Sequence, residues 1–374
     1  MFLLLLRKKH HHFRTSCLHF LPPKHHLTSS PPEPPTFITQ YLIDSCGFSP
    51  AAAAKASKRI SHLTSPDRPD SVRHFLKHND FTDSDIRAFI SRYPRILCTS
   101  VERSMAPNLR ALSALGFSQP DLRRLVAANP QALQLASAVP CAQFFGSLLR
   151  GCTKKLLLAL TRNRGLLTLD VDTGIAAKIS LLKAHGLTAD DIGVLLVRGQ
   201  GFIVRSVSSI ETLLKRAQEL GFVPGTPMYI HCLLSLSGLT GEKLKAKMEI
   251  YRSLGWSEGE LSLALRKHPF VLRLSEENIR RKMEFLVGTA GCTLAYITLR
   301  PQLISYSLEK RLIPRHHVLG ILKSNELIDR ERDFYGFMCI TERDFVDDVI
   351  LPHRDRLPTL LETYTDTCAG KIKL

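Results

Sequence analysis

No acidic side chain occurs in the first 32 residues, no two of the nine cysteines stand at C-x-x-C spacing, and Trp256 is the only tryptophan in 374 residues. Scattered cysteines in odd number write neither a zinc ribbon nor a redox dithiol; they read as small buried apolar residues in a reducing interior. One tryptophan and 8 tyrosines leave little for an aromatic membrane belt. The apolar run near the start, Phe2 to Leu6, falls far short of the ~20 residues that cross a bilayer, so no membrane partner is expected. Enzyme signatures are missing as well: there is no G-x-x-x-x-G-K-[ST] loop, no H-E-x-x-H and no G-x-S-x-G. Gly199-Gln200-Gly201 lacks the third glycine and the preceding strand of a phosphate cradle, and His316-His317 has no acid at metal-ligand spacing. Neither catalysis, a cofactor nor a resident metal is expected.

Positive charge, by contrast, is plentiful. Lysine and arginine number 51 against 34 acids, a net charge of +17, and 44% hydrophobic residues are enough to bury a core. Such an excess favours a polyanionic partner. Part of it lies in residues 1–40, which carry Arg7, Lys8, Lys9, Arg14 and Lys24, six histidines and the exit Pro31-Pro32-Glu33-Pro34-Pro35. The charges follow the apolar run instead of preceding it, which is the reverse of a secretory signal and fits an organelle transit peptide with a Pro-rich linker. The histidines lie within this segment and are not read as a metal site. Without it, residues 41–374 keep +13 of the net charge.

The rest of the chain is periodic. A bulky or apolar residue after a glycine-like turn recurs at Phe48, Phe81, Phe117, Cys152, Leu187, Phe222, Trp256 and Cys292, with gaps of 33, 36, 35, 35, 35, 34 and 36. Asp80 stands where most units have glycine. Thirteen residues after this anchor comes Pro94, Pro130 or Pro269, with Gly165 and Gln200 in two other units; Pro301 comes nine after. Thr82-x-x-Asp85, Ser118-x-x-Asp121, Thr188-x-x-Asp191 and Ser257-x-x-Glu260 follow the anchor as capping boxes, each opening a helix with apolar residues at helical spacing. Proline ends that helix, and a serine-acid turn such as Ser275-Glu276-Glu277 opens a second, longer one. No stretch alternates with period two over strand length. The fold is therefore all-α: right-angle-stacked helical repeats, about eight units of ~35 residues, in a curved solenoid over residues 41–325, followed by a helical extension and tail over 326–374.

The pattern Gly-Phe-Ser-x-x-Asp-Leu, then proline, then a helix ending in Leu-Gly-Phe resembles the mitochondrial transcription termination factor (mTERF) repeat, most clearly in units 81–117, 117–152 and 256–292. Plant members of that family are also similar at Tyr41-Leu42-Ile43-Asp44-Ser45-Cys46-Gly47-Phe48, at Arg266-Lys267-His268-Pro269, at 307–315 and at Thr341-Glu342-Arg343-Asp344-Phe345. The resemblance spans roughly residues 40–365 and implies a left-handed superhelix that binds organellar DNA or RNA and affects transcription, RNA processing or translation. Units four to six depart from the pattern, losing the proline and, between Phe222 and Trp256, much of the first helix. A pentatricopeptide array has a similar period of ~35 residues but no recurrent mid-unit proline.

Basic residues gather where second helices begin: Arg103, then Arg280, Arg281 and Lys282, then Lys310, Arg311 and Arg315. In stacked units these seven are expected to form one stripe that neutralises phosphates, a salt-sensitive mode with little base information. Lys243, Lys245 and Lys247 make a weaker set. Two functions compete: a monomeric nucleic-acid-binding regulator of organelle gene expression, mitochondrial before chloroplast, and a protein-interaction scaffold whose charge serves solubility.

Overall fold

Each unit turns on the same reversal. At the end of a helix the chain passes through the left-handed region, at φ +88° for Gly116 and +94° for Gly255, where a side chain would meet its own carbonyl. The next residue bonds back across the helix end: Leu187 N–H donates to Leu182 O at 3.1 Å and Phe222 N–H to Ala217 O at 3.1 Å. This is the Schellman closure, and the bulky residue after the glycine packs under it, with Phe81 2% and Trp256 3% exposed. Asp80 takes the same turn at φ +61°. So does Glu326 at +55°, with Leu327 N–H on Leu322 O, which closes the last unit in the frame that began at Phe48.

The computed structural model describes residues 36–329 and 331–372; most of the proposed transit segment lies outside the described residues. Helix α1 (Phe37–Asp44) already buries Ile38, so the fold begins a few residues before the expected boundary at 41. Eight units follow, each a pair of helices. They are α2 (Pro50–Ser57) with α3 (Asp67–His78), α4 (Asp83–Arg92) with α5 (Ala106–Ala114), and α6 (Gln119–Ala128) with α7 (Ala138–Leu148). Next come α8 (Thr153–Arg162) with α9 (Ala176–Ala184), and α10 (Ala189–Arg198) with α11 (Val207–Glu219). The last three are α12 (Pro227–Leu236) with α13 (Gly241–Ser253), α14 (Glu258–Lys267) with α15 (Glu276–Glu284), and α16 (Leu294–Leu299) with α17 (Ile313–Ser324). An extension, α18 (Phe334–Cys339), α19 (Glu342–Phe345) and α20 (Leu360–Cys368), packs on the final unit. Among the described residues there is no strand, and one continuous apolar core runs through every unit.

All four expected capping boxes form: Thr82, Ser118, Thr188 and Ser257 accept from the third amide while Asp85, Asp121, Asp191 and Glu260 reach back to the cap N–H. Second helices are capped by Ser100, Asp170, Ser206, Thr240, Ser275 and Ser307. The mid-unit prolines end the first helix and lead a 3-10 turn, as at Pro94–Cys98 and Pro269–Arg273.

Unit six corrects one expectation. Its first helix, α12, is ten residues long like its neighbours; what it lacks is the turn. Only residues 237–240 separate α12 from α13, whereas residues 93–100 separate α4 from the opening of the next helix. The repeat length is kept because α12 starts late, after Val223-Pro224-Gly225-Thr226, and α13 runs to thirteen residues.

Successive units are stitched through these mid-unit turns. Buried Asn129 donates to Leu160 O at 2.8 Å, and Asn163 donates to Leu196 O at 3.0 Å while accepting from Gly201 N–H at 2.5 Å. Tyr93 donates to Gln134 at 2.7 Å, and His268 meets Ser305 Oγ at 2.7 Å. The two asparagines satisfy helix-end carbonyls of the next repeat, and the side-chain pairs tie turn to turn, so turns stack along one edge.

Candidate nucleic-acid interface

A second set of stitches overturns part of the expected stripe. Nine residues before the next unit's anchor, Asn108, Lys178 and Lys247 reach from the second helix to carbonyls of the following turn: Ala132 and Leu135, Ile203, and Leu274. Lys282 occupies the corresponding place in unit seven, ten before Cys292, where a π-type turn (Phe285–Thr289) adds a residue. Its ammonium is buried and donates to Ile304 O at 2.9 Å, and burial pulls its pKa below the ordinary lysine range. Lys282 is a structural tie, not part of a phosphate-facing stripe.

Arg315 is likewise interior, at 0% exposure. Its guanidinium donates to Phe337 O (2.8 Å), Ile340 O (2.9 Å), Thr341 O (3.2 Å) and Glu342 (2.9 Å), and lies 4.4 Å from the Phe345 ring centroid. A charge consumed by four acceptors holds the C-terminal extension to unit eight and offers nothing to solvent.

The other five candidates differ among themselves. Arg103 and Lys310 are exposed and make no ion pair among the described residues, each sitting three positions after the cap of its helix. Arg280 pairs with Glu276 at 2.9 Å, and Arg281 with Glu309 at 2.8 Å across to the next unit. Arg311 is half-buried against the Tyr306 ring and donates to Met338 O. Acids belong at this end of a helix because they favour its positive pole. The same rule that placed the caps therefore partly neutralises this set.

A stronger concentration lies on the stacked turns, where sequence reasoning did not look. In units two to eight, from the last residue of the first helix to the residue before the cap of the second, the segments 92–99, 128–136, 162–169, 198–205, 236–239, 267–274 and 299–306 contain no acid. They carry Arg92, Arg95, Arg162, Arg164, Arg198, Arg205, Lys267, Arg273 and Arg300. Arg92, Arg162 and Lys267 reach over to the helix-end carbonyls Ala127 O, Val197 O and Leu299 O of the following unit, where cations complement the negative pole. Arg95, Arg164, Arg198 and Arg273 remain exposed. At the other end of the first helices other first-turn acids meet cations: Lys77–Asp83 at 2.9 Å and Arg252–Glu258 across the reversal, and Arg150–Asp190 at 2.6 Å from the end of unit three to the start of unit five. One edge of the stack is thus paired; on the other, Arg300 pairs with Asp333 at 3.7 Å and the remaining eight cations make no ion pair among the described residues, a positive row fit to neutralise phosphates.

Two histidines flank Phe270 on this edge, with ring centroids 5.0 Å (His231) and 5.6 Å (His268) away. Burial lowers both pKa values, helped by the charge of Arg198 for His231 and by His231 for His268. A base whose pKa is lower folded than unfolded takes its proton first in the unfolded chain as pH falls below about 6.5, so stability drops there. The urea midpoint should therefore fall between pH 7 and about 5, and His268→Gln should flatten that slope. An unchanged slope in the variant would remove His268 from the account.

Residues 74–141 and 141–330 match the mTERF family model. The chain is 37% identical over 79 residues to the chloroplastic transcription termination factor MTERF2 of Arabidopsis thaliana, covering 21% of this chain and 12% of that protein. It is 19% identical over 316 residues to the mitochondrial factor MTERF15 of the same plant, covering 83% and 63%. With the chloroplastic factor MTERF8 the identity is 26% over 280 residues, covering 71% and 54%. The chain spans less than two thirds of the length of each of these curated relatives.

Proposed function

The chain belongs to the mTERF family, and from that premise we propose that it binds nucleic acid as a monomer, through phosphate contacts along the acid-free edge, to regulate gene expression in an organelle. The observation that carries this reading is the run of nine lysines and arginines without an acid on stacked mid-unit turns. Arg103 and Lys310 extend the contact surface; Arg280, Arg281 and Arg311 contribute less because their charges already have partners. Transcription termination, the activity in the relatives' names, is the activity we assign first. Mitochondrial import through residues 1–40 belongs to the same proposal; fusing that segment to a fluorescent protein tests it against chloroplast import.

Binding of this kind releases counterions. The affinity of the full chain for duplex DNA or structured RNA should fall with a log–log salt slope of about −4 or steeper, which amounts to about 250-fold or more between 50 and 200 mM salt. Titration by fluorescence anisotropy at four salt concentrations checks it. No retention of either nucleic acid at low salt would transfer the function to a protein-interaction scaffold.

A further inference from the structure

The shortened turn of unit six leaves a gap in the stacked edge. Where other units place a full turn, residues 237–240 cross directly, and a cavity of about 350 Å³ opens between the turns of units five and seven. Arg198 lines one side and Arg273 another, with Gln200, Ser237 and Gly238 also on the wall and no acidic residue among those that line it. Arg205 backs the crossing segment: its guanidinium donates to Ser237 O while its Nε is buried without a partner. The Gly238 N–H has no acceptor among the described residues, and a Cβ at Gly238 would meet nothing within 4 Å. Two arginines, a glutamine, two serines and a glycine whose N–H has no acceptor among the described residues therefore line the recess together with Leu234 and Leu239. The hydroxyl of Ser237 is occupied as a donor to Leu234 O at 2.8 Å.

We propose that this notch is a seat for one phosphate group, gripped between Arg198 and Arg273, and that it fixes the position of a nucleic-acid backbone running along the edge. The inference rests on the nucleic-acid reading above, which supplies the phosphodiester; a free phosphate has the same chemistry. Elsewhere on the edge the cations stand on the rims of filled turns, where a backbone can slide from one to the next. Only in unit six does the repeat recede, so that a phosphate enters between two arginines. Bidentate guanidinium contacts from two sides give such a seat directionality that a row of point charges lacks.

The test places a carboxylate in the recess. Gly238→Glu enters open space, and Gly259→Glu, also open but at the start of α14 on the opposite edge, makes the same change in net charge. Full-length chains are titrated with a 30-base-pair duplex of arbitrary sequence, an RNA hairpin, and inorganic phosphate or pyrophosphate. For nucleic acid we expect Gly238→Glu to weaken binding by about 10-fold or more and to make the salt slope shallower by about one. Gly259→Glu should match the wild type. Arg198→Gln/Arg273→Gln, whose side chains are exposed, should reproduce the loss and guards against a misfolded Gly238→Glu. Equal binding by Gly238→Glu and Gly259→Glu, with wild-type binding intact, would overturn the seat and leave the nucleic-acid reading standing. Saturable phosphate binding that Gly238→Glu abolishes, in a chain that retains no nucleic acid, would keep the seat and overturn the reading. No binding of either would overturn both.

Discussion

Replacing Arg315 with methionine should release the C-terminal extension while the first seven units stay folded. Methionine keeps most of the aliphatic stem and the contact with Phe345 but removes the donors for Phe337 O, Ile340 O and Thr341 O and the partner of Glu342. The bond to Phe337 O lies in a fully buried setting, where stranding a polar group costs about 1–3 kcal/mol, and the other three are partly buried. Removing one member of a buried charge network costs about 3–5 kcal/mol. Glu342 is more than half exposed and can recover water, so the lower part of that range applies. Repeat arrays communicate only between neighbours, so the loss stays local. In hydrogen exchange, amides over 334–368 should lose protection by about 10²-fold or more, the equivalent of ~3 kcal/mol, with units one to seven unchanged. Undiminished protection in the extension would show that apolar packing of Phe337, Phe345 and Tyr364 alone holds it.

The second large effect separates the two sets of cations. Arg95→Gln, Arg164→Gln, Arg198→Gln and Arg273→Gln together remove four exposed charges from the acid-free turns. If each neutralises one phosphate, the salt slope becomes shallower by about 3 to 4 and affinity near 100 mM salt drops roughly 10³-fold. The matching variant in the second helices, Arg103→Gln, Arg280→Gln, Arg281→Gln and Lys310→Gln, should lose far less, because two of its charges are already held by Glu276 and Glu309. Equal losses would restore the second-helix stripe as the main contact. The two proteins carry the same change in net charge, so the difference reports position alone.

The repeat frame was legible because its cause is local. A left-handed turn needs glycine, a Schellman closure wants a buried apolar residue next, and a capping box follows within four residues; Gly255-Trp256-Ser257 and Glu260 write all three. Lys282 and Arg315 were misread for the opposite reason. Their acceptors lie 22 residues or more further on, and a cation on a helix reads as wet until the next unit is placed over it. The recurrence of Asn108, Lys178 and Lys247 nine residues before the following anchor was an available signal, since a long polar side chain at a position that buried Val72 fills in unit one is a candidate for burial. Unit six hid its change because the late start of α12 and the length of α13 preserved the spacing from Phe222 to Trp256. The acid-free edge is a pattern of absence spread over seven segments, visible only once those segments are known to lie side by side.

The separation of a neutralised edge from a positive one has an orientational consequence. Summed over eight repeats it gives the solenoid a transverse electric moment, so a rod of opposite charge exerts a torque on the molecule before any contact forms. Rotation about the long axis is then resolved at a distance of about one Debye length, near 10 Å at moderate salt, and a docking search over all rolls reduces to a slide along a single line.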